Sequence, residues 1–399
     1  MTLFLLTFFL IYGSVHAYAY SKARVAFGFG WGPSLATIPV LAALCSGPLI
    51  VYYLGEWELA GAARAASWIG YTWMGLLFFF TWTNLALDTV NLLARLATAA
   101  FGTGPKPLVA YGRATFLTLA GLSVALGIYA FLEASRIRVE HIRVFTDKLP
   151  ASVPRLRVAQ ISDVHLGLMV RHREASAIAA LVREAHPDLV VCTGDLVDAR
   201  PNHLDGLSEI FQTIRPPLGK YAVTGNHEFY AGIGLALDFA RRAGFTVLRG
   251  EAVVAGTVLR IAGVDDPAGA ALGLGSGRSE EAVLGSEPSP LFTLLLKHRP
   301  VLSPGTRRQI DLQLSGHTHQ GQIFPFRLLV RLSSPLLAGL YASGDGGVVY
   351  VSRGTGTWGP RMRFLSPPEV TVLDIERRPA GSAEGSDLKE APAVSSVSR

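Results

Sequence analysis

Cysteine is nearly absent: two residues, Cys45 and Cys192, in a chain of 399. Cys45 falls in an apolar run and Cys192 in the short apolar segment Leu189-Val190-Val191-Cys192. Such positions exclude a disulfide framework and read as two structural thiols, which leaves the redox compartment open. Charge is scarce as well, at 17% of residues against 50% apolar. The net charge is +6, yet no Lys/Arg block interleaved with aromatics and no groove-reading motif is present, so no nucleic-acid partner is expected. The scattered cations, several of them near apolar runs, fit attraction to anionic membrane lipids instead. The first apolar run has no basic stretch ahead of it, which argues against a cleaved signal peptide and for a retained helix.

The scarcity of charge is concentrated in the first 135 residues. Four runs there, residues 2–20, 35–54, 68–87 and 115–132, contain no Lys, Arg, Asp or Glu and approach the ~20 residues that cross a bilayer. Tyr18, Tyr20, Tyr52, Tyr53 and Trp68 stand near their ends, as amphipathic rings do at headgroup level. A multi-pass membrane region of four helices over residues 1–135 is the expectation. Lys22, Arg24, Arg95, Lys106 and Arg113 on one side balance Arg64, Arg136, Arg138, Arg143 and Lys148 on the other, so the cation bias sets no orientation. The lack of charge within the runs argues against an ion pathway.

From about residue 136 the pattern changes. Strands are expected over residues 155–162, 188–193 and 220–224, alternating with helices over 174–185, 204–214 and 235–243. Later segments are richer in β pattern: 253–264, 291–296, 312–314, a hairpin across 344–347, and 370–375. The Gly- and Ser-rich stretch 267–290 reads as a surface loop with a short helical turn near 280–284. The alternation predicts an α/β domain over residues 136–376, followed by a polar, disordered tail over 377–399. His172, His186 and His203 fit no motif and read as solvated surface residues. Asp265 and Asp266 read as turn residues, and Arg299 and Arg353 as candidate phosphate contacts.

Five motifs carry the chemistry: Asp163-Val164-His165, Gly194-Asp195-Leu196-Val197-Asp198, Gly225-Asn226-His227-Glu228, His298, and Gly316-His317-Thr318-His319. The first three and the last two each follow an expected strand, where loops of an α/β sheet converge. Asp163 and His165, and likewise His317 and His319, are two residues apart; in extended backbone each pair projects to one face. Asp195 has two carboxylate oxygens and can bridge two cations, and Asn226 offers a carbonyl oxygen. Oxygen and nitrogen donors without thiolate suit Mn, Fe or Zn. Two such divalent metal ions form a clamp for displacement at phosphorus.

In this order the motifs are specific, and across residues 158–372 the chain resembles the calcineurin-like metallophosphoesterase family. The stretches Ser315-Gly-His-Thr-His-Gln-Gly-Gln-Ile323, Tyr350-Val-Ser-Arg-Gly-Thr-Gly356 and Pro367-Pro-Glu369 are most similar to its YkuE-type, membrane-associated branch. Gln320 departs from that branch, where glycine is usual. The resemblance implies a β-sandwich of two mixed sheets flanked by helices. It implies that Asp163, His165, Asp195 and His319 hold one metal and that Asp195, Asn226, His298 and His317 hold the second. It gives His227 a catalytic role, contacting phosphate and protonating the leaving oxygen, and makes Asp198 and Glu228 supports for the imidazoles or the loop. The expected function is a membrane-anchored dimetal phosphoesterase acting on a phosphorylated small molecule or a lipid-linked substrate, with the pyrophosphate of UDP-2,3-diacylglucosamine as the branch's specific candidate. A phosphodiesterase or phosphatase of soluble nucleotides and an inactive membrane scaffold are the alternatives.

Overall fold

The computed structural model describes residues 2–102, 104–198, 204–342 and 347–379. They fall into two compact units, Met1–Leu132 with Gly359–Met362, and Glu133–Trp358 with the chain from Arg363 onward. His203, the turn residues 344–346 and all but the start of the expected tail lie outside the described residues.

The first unit is helical: α1 (Thr2–Phe27), α2 (Trp31–Cys45), α3 (Gly47–Glu56), α4 (Ala60–Ala100) and most of α5 (Arg113–Ala134). The break between α2 and α3 falls at Ser46, ahead of Pro48 in the first turn of α3, where a missing N–H costs nothing. By length and composition α4 and α5 can each cross a bilayer, and α2 with α3, bent by 55°, makes a third crossing if the pair is one span. Among the described residues two helices, or three spans if the bent pair counts as one, are thus long and apolar enough to cross a membrane, which accounts for part of the four expected. The expected first run lies within α1, a single helix of 26 residues. The third expected run lies within α4, which continues to Ala100 through Asp88; that carboxylate is met by Lys22 at 2.5 Å and Tyr18 at 2.6 Å.

The second unit contains two mixed six-stranded sheets. The first is built from β1 (Arg138–Thr146), β12 (Glu369–Arg377), β2 (Arg155–Ile161), β3 (Leu189–Cys192), β4 (Lys220–Ala222) and β5 (Thr246–Val247), in that spatial order. Here β2 to β5 run parallel, and β12 is antiparallel to β2. The second is ordered β10 (Gly339–Ala342), β11 (Val348–Val351), β9 (Leu312–Ser315), β8 (Phe292–Leu296), β7 (Leu259–Gly263) and β6 (Glu251–Ala255), with β7, β8, β9 and β11 parallel.

Alternation along the strands sorts the core. Val158, Leu189 and Val191 of the first sheet face Leu259, Ile261, Leu294 and Leu312 of the second in one fully buried layer. Their neighbours Ala159, Ile161, Val190 and Cys192 point the other way, onto α6 (His172–Glu184), α7 (Leu207–Gln212) and α9 (Ile233–Arg242). Cys192 is thus a buried core residue, as its apolar segment implied.

Two readings of the β pattern change. The run 253–264 is a hairpin, β6 and β7, joined by the three residues Gly256, Thr257 and Val258, of which the first two take the positive φ that a tight turn between twisted strands needs. The edge strand β1 alternates charged and apolar residues on a partly exposed ribbon, a weak hydrophobic signal. The Gly- and Ser-rich stretch carries two short helices, α10 (Pro267–Ala271) and α11 (Glu280–Leu284).

Candidate metal centre

All five motifs follow the C-terminal ends of parallel strands. β2, β3 and β4 deliver the Asp163, Asp195 and Asn226 loops, while β8 and β9 deliver His298 and the His317–His319 turn. The route differs from the one spacing implied. Asp163 and His165 are not extended: φ is 52° and 53°, and Asp195, His317 and His319 also take positive φ, at 51°, 73° and 48°. Five of the seven expected ligands thus sit in the left-handed region, each at a cost of order 1–3 kcal/mol that surrounding bonds must offset. Those bonds are present. Asp163 N–H donates to Gly194 O and His165 N–H to Asp195 O, both at 3.0 Å, lacing the first two loops together.

The motif glycines are required by close approach. A Cβ on Gly225 would lie 2.1 Å from Asp195 Oδ1, and one on Gly316 would lie 2.1 Å from Asp163 Oδ2. The backbone of each loop packs directly on a carboxylate from another.

The side chains converge in three overlapping groups, Asp163/His165/His319, His165/Asp195/His227 and Asp195/His298/His317. His165 Nε2 and His319 Nε2 are 3.0 Å apart, as are His317 Nδ1 and His298 Nε2 at 3.1 Å. Asp195 Oδ2 lies 3.2 Å from His298 Nε2 and 3.8 Å from His165 Nε2, so it touches both sets. Asn226 Oδ1 and His165 Nδ1 are buried without a hydrogen-bond partner. Opposed ring nitrogens and an unmatched amide oxygen around buried carboxylates form a donor set that fits divalent cations.

Electrostatics agree with that fit. Burial lowers the His165 pKa to about 4 and the His317 pKa to about 3, leaving neutral rings with lone pairs to offer. His319 is held well below its usual range, first by burial and then by the Arg363 guanidinium. Burial also raises Asp163 to about 6 and Glu228 to about 7, each reinforced by Asp195. Burial works against charge on His298 and on Asp195 alike, but their contact outweighs it, raising His298 to about 10 and holding Asp195 well below the carboxylate range.

Supporting groups fix the orientation. His298 Nδ1–H donates to Thr193 O at 2.8 Å, which turns Nε2 toward Asp195. Glu228 accepts from the N–H groups of Asp195, Leu196, Val197 and Gly225 at 2.7–3.2 Å, so it braces the loop rather than an imidazole. Asp198 Oδ1 meets His227 Nδ1 at 2.5 Å. Burial opposes charge on that ring, yet Asp198 and Asp195 raise its pKa to about 9, which suits a proton donor better than a ligand.

Other candidates separate. Asp266 caps α10 and grips Arg299 through Nε and Nη2 at 2.7 and 3.0 Å, beside His298. Asp265 pairs with Arg249 at 2.8 Å. Arg353 is held between the carboxylates of Glu140 and Glu369. The sequence does not mark Arg363. It is fully buried, its Nη2 lies 3.0 Å from His319 Nδ1, and it donates to the carbonyls of His319 and Arg353. A lone arginine between Met362 and Phe364 carries no pattern that marks it.

Residues 156–321 match the family model described as calcineurin-like phosphoesterase. An uncharacterized metallophosphoesterase of Aquifex aeolicus (strain VF5) is 41% identical over 256 residues, covering 64% of this chain and 98% of the relative. The chain belongs to the calcineurin-like metallophosphoesterase family. It is accordingly a metal-dependent phosphoric ester hydrolase with the family's α/β fold of two mixed sheets, and the family uses divalent metals. A Danio rerio protein named "Transmembrane protein with metallophosphoesterase domain" is 31% identical, covering 76% of this chain and 71% of that one. The uncharacterized metallophosphoesterase YkuE of Bacillus subtilis (strain 168) is 30% identical, covering 63% and 89%. Gln320 has φ 51° and ψ 27°, a left-handed conformation in which glycine is free of strain.

Proposed function

We propose that the chain is a multi-pass, membrane-anchored dimetal phosphoesterase. Residues 1–135 would form the membrane region with four crossings, made by α1, by α2 with α3 as one bent span, by α4 and by α5. Residues 136–376 would form the catalytic domain, and 377–399 a tail. The observation that carries the reading is the contact of Asp195 with both imidazole sets, at 3.2 Å from His298 and 3.8 Å from His165.

Asp163, His165, Asp195 and His319 would hold one ion, and Asp195, Asn226, His298 and His317 the other. When bound, two divalent cations of the Mn, Fe or Zn kind supply an activated water and neutralise charge on the phosphate oxygens. The chain's own residues do the rest. His227, charged against Asp198, donates to a phosphate oxygen and then gives its proton to the departing oxygen. Asp198 keeps that ring in one orientation. Glu228 holds the Asp195 loop, and Arg299, fixed by Asp266, adds a positive charge beside His298.

The apolar helices favour an amphiphilic phosphate as substrate, with the pyrophosphate of UDP-2,3-diacylglucosamine as the specific candidate. The test is turnover by the detergent-purified full chain, supplied in turn with Mn²⁺, Fe²⁺ and Zn²⁺. A lipid-linked pyrophosphate should be cleaved faster than a soluble nucleotide diester. Faster cleavage of the soluble ester would overturn the substrate reading alone. Hydrolysis of neither, with any of the metals, would overturn the site reading.

A further inference from the structure

The chain immediately after the His317–His319 turn leaves apolar side chains in the open. Helix α12 (Arg327–Ser333) has no buried residue. Leu328 and Leu329 are 57% and 50% exposed, Leu332 is 83% exposed, and Phe326 just before the helix is also exposed. Four large apolar groups within seven residues exceed the scattered single leucines of an ordinary surface. The same stretch is one-sidedly charged. Arg327 and Arg331 stand among these residues, and from Asp311 to Asp345 the sequence has no acidic residue between.

This segment is fastened to the metal centre. Gly321, with φ 77°, packs on the Arg327 backbone so closely that a Cβ would lie 2.3 Å from its Cα. Gln322 clasps Trp358, donating Nε2–H to its carbonyl at 2.7 Å and accepting its N–H at 2.9 Å. The Trp358 indole is 54% exposed, and its ring lies 6.0 Å from that of His227. Exposed Trp, Phe and Leu with interspersed Arg are the composition of an element lying in the headgroup layer, where rings and aliphatic groups enter the acyl boundary and guanidinium groups meet lipid phosphates.

We infer that α12 and Trp358 form a membrane-seating surface whose occupant is an anionic bilayer, so that the mouth of the metal centre opens at the lipid headgroups. Charge complementarity selects this occupant. A protein partner covering the same leucines would need carboxylates opposite Arg327 and Arg331, whereas a bilayer containing acidic lipid supplies anionic phosphates over the whole face. The inference does not depend on which bond the enzyme cleaves, or on whether metal is bound.

The test uses the full chain with Cys45→Ala, Cys192 being buried, reconstituted into phosphatidylglycerol/phosphatidylcholine vesicles. An environment-sensitive fluorophore is attached at Leu332→Cys in one sample and at Val254→Cys, an exposed position on β6, in another. At position 332 the emission should shift to the blue, lose quenching by aqueous iodide and gain quenching by a nitroxide carried on the lipid. At 254 iodide should quench and the nitroxide should not. Pure phosphatidylcholine, high salt, or Arg327→Gln with Arg331→Gln should each reduce the nitroxide quenching at 332. Iodide quenching at 332 equal to that at 254 would overturn the proposal. Protection from both quenchers would also overturn it, and would assign the face to a second copy or a protein.

Discussion

The two sheets contribute unlike halves to the metal centre. Loops after β2, β3 and β4 supply the carboxylates, the amide, His165 and His227, and they are laced to one another: Asp163 to Gly194, His165 to Asp195, and the Asp195 loop to Glu228. Loops after β8 and β9 supply three imidazoles, and each is steadied by something outside its own sheet. His298 is aimed by Thr193 O, the His317 N–H by Asp163, and His319 by the buried Arg363. The acidic half is the more heavily laced within itself, although Gly356 N–H also donates to Asp163 O, while the three histidines are steadied by groups of other elements, with Gly316 N–H to His298 O the bond between their own loops. In the proposed centre a carboxylate would therefore serve as both ligand and scaffold, whereas an imidazole ring of the second half would serve mainly as a ligand.

Mutations can break that asymmetry or sharpen it. Asp195→Asn should have the largest effect, because Asp195 serves both sets. Both ions should be lost, with turnover falling about 10³-fold or more. His317→Ala should cost one ion and leave the second measurable by metal analysis, and equal losses in the two variants would erase the distinction between halves. His227→Ala should slow turnover by about 10²–10⁴-fold while metal content holds. Loss of metal in that variant would make the ring a ligand. Glu228→Gln keeps the shape but turns one of the two oxygens that four N–H groups share into an N–H₂ donor. Metal affinity should weaken by about 10–100-fold, read by titration of metal-free protein. Gln320→Gly should have the smallest effect. It relieves a left-handed residue worth about 1–2 kcal/mol at a chain-entropy cost of about 0.5–1 kcal/mol, so stability should rise by about 0–1.5 kcal/mol with activity unchanged. A marked destabilisation on thermal unfolding would show that the Gln320 side chain holds the rim.

Much of this was legible in the residues, and the parts that were not share a cause. The strands at 155–161, 189–192 and 220–222 announce themselves by apolar runs, and the motifs by residue type, so the convergence of Asp163, Asp195, Asn226, His298 and His317 follows from chain order and strand direction. The way they converge does not follow. Two-residue spacing implies extended backbone, but tertiary bonds hold Asp163, His165, His317 and His319 at positive φ. Arg363 is invisible for the same reason: its role comes from five carbonyls and a ring that are brought together only on folding. Glycine patterns mark turns in the sequence, but at Gly225 and Gly316 the need is space for a carboxylate from a distant loop. In the apolar half, hydropathy finds the runs without fixing helix ends, so α4 extends well beyond the third run.

The most direct test of the central claim is the metal stoichiometry of the purified full chain beside its Asp195→Asn variant, both measured after saturation with Mn²⁺ and removal of free ion. The account predicts two equivalents per wild-type chain and fewer than one in the variant. Two equivalents retained by the variant, or none bound by the wild type, would contradict it.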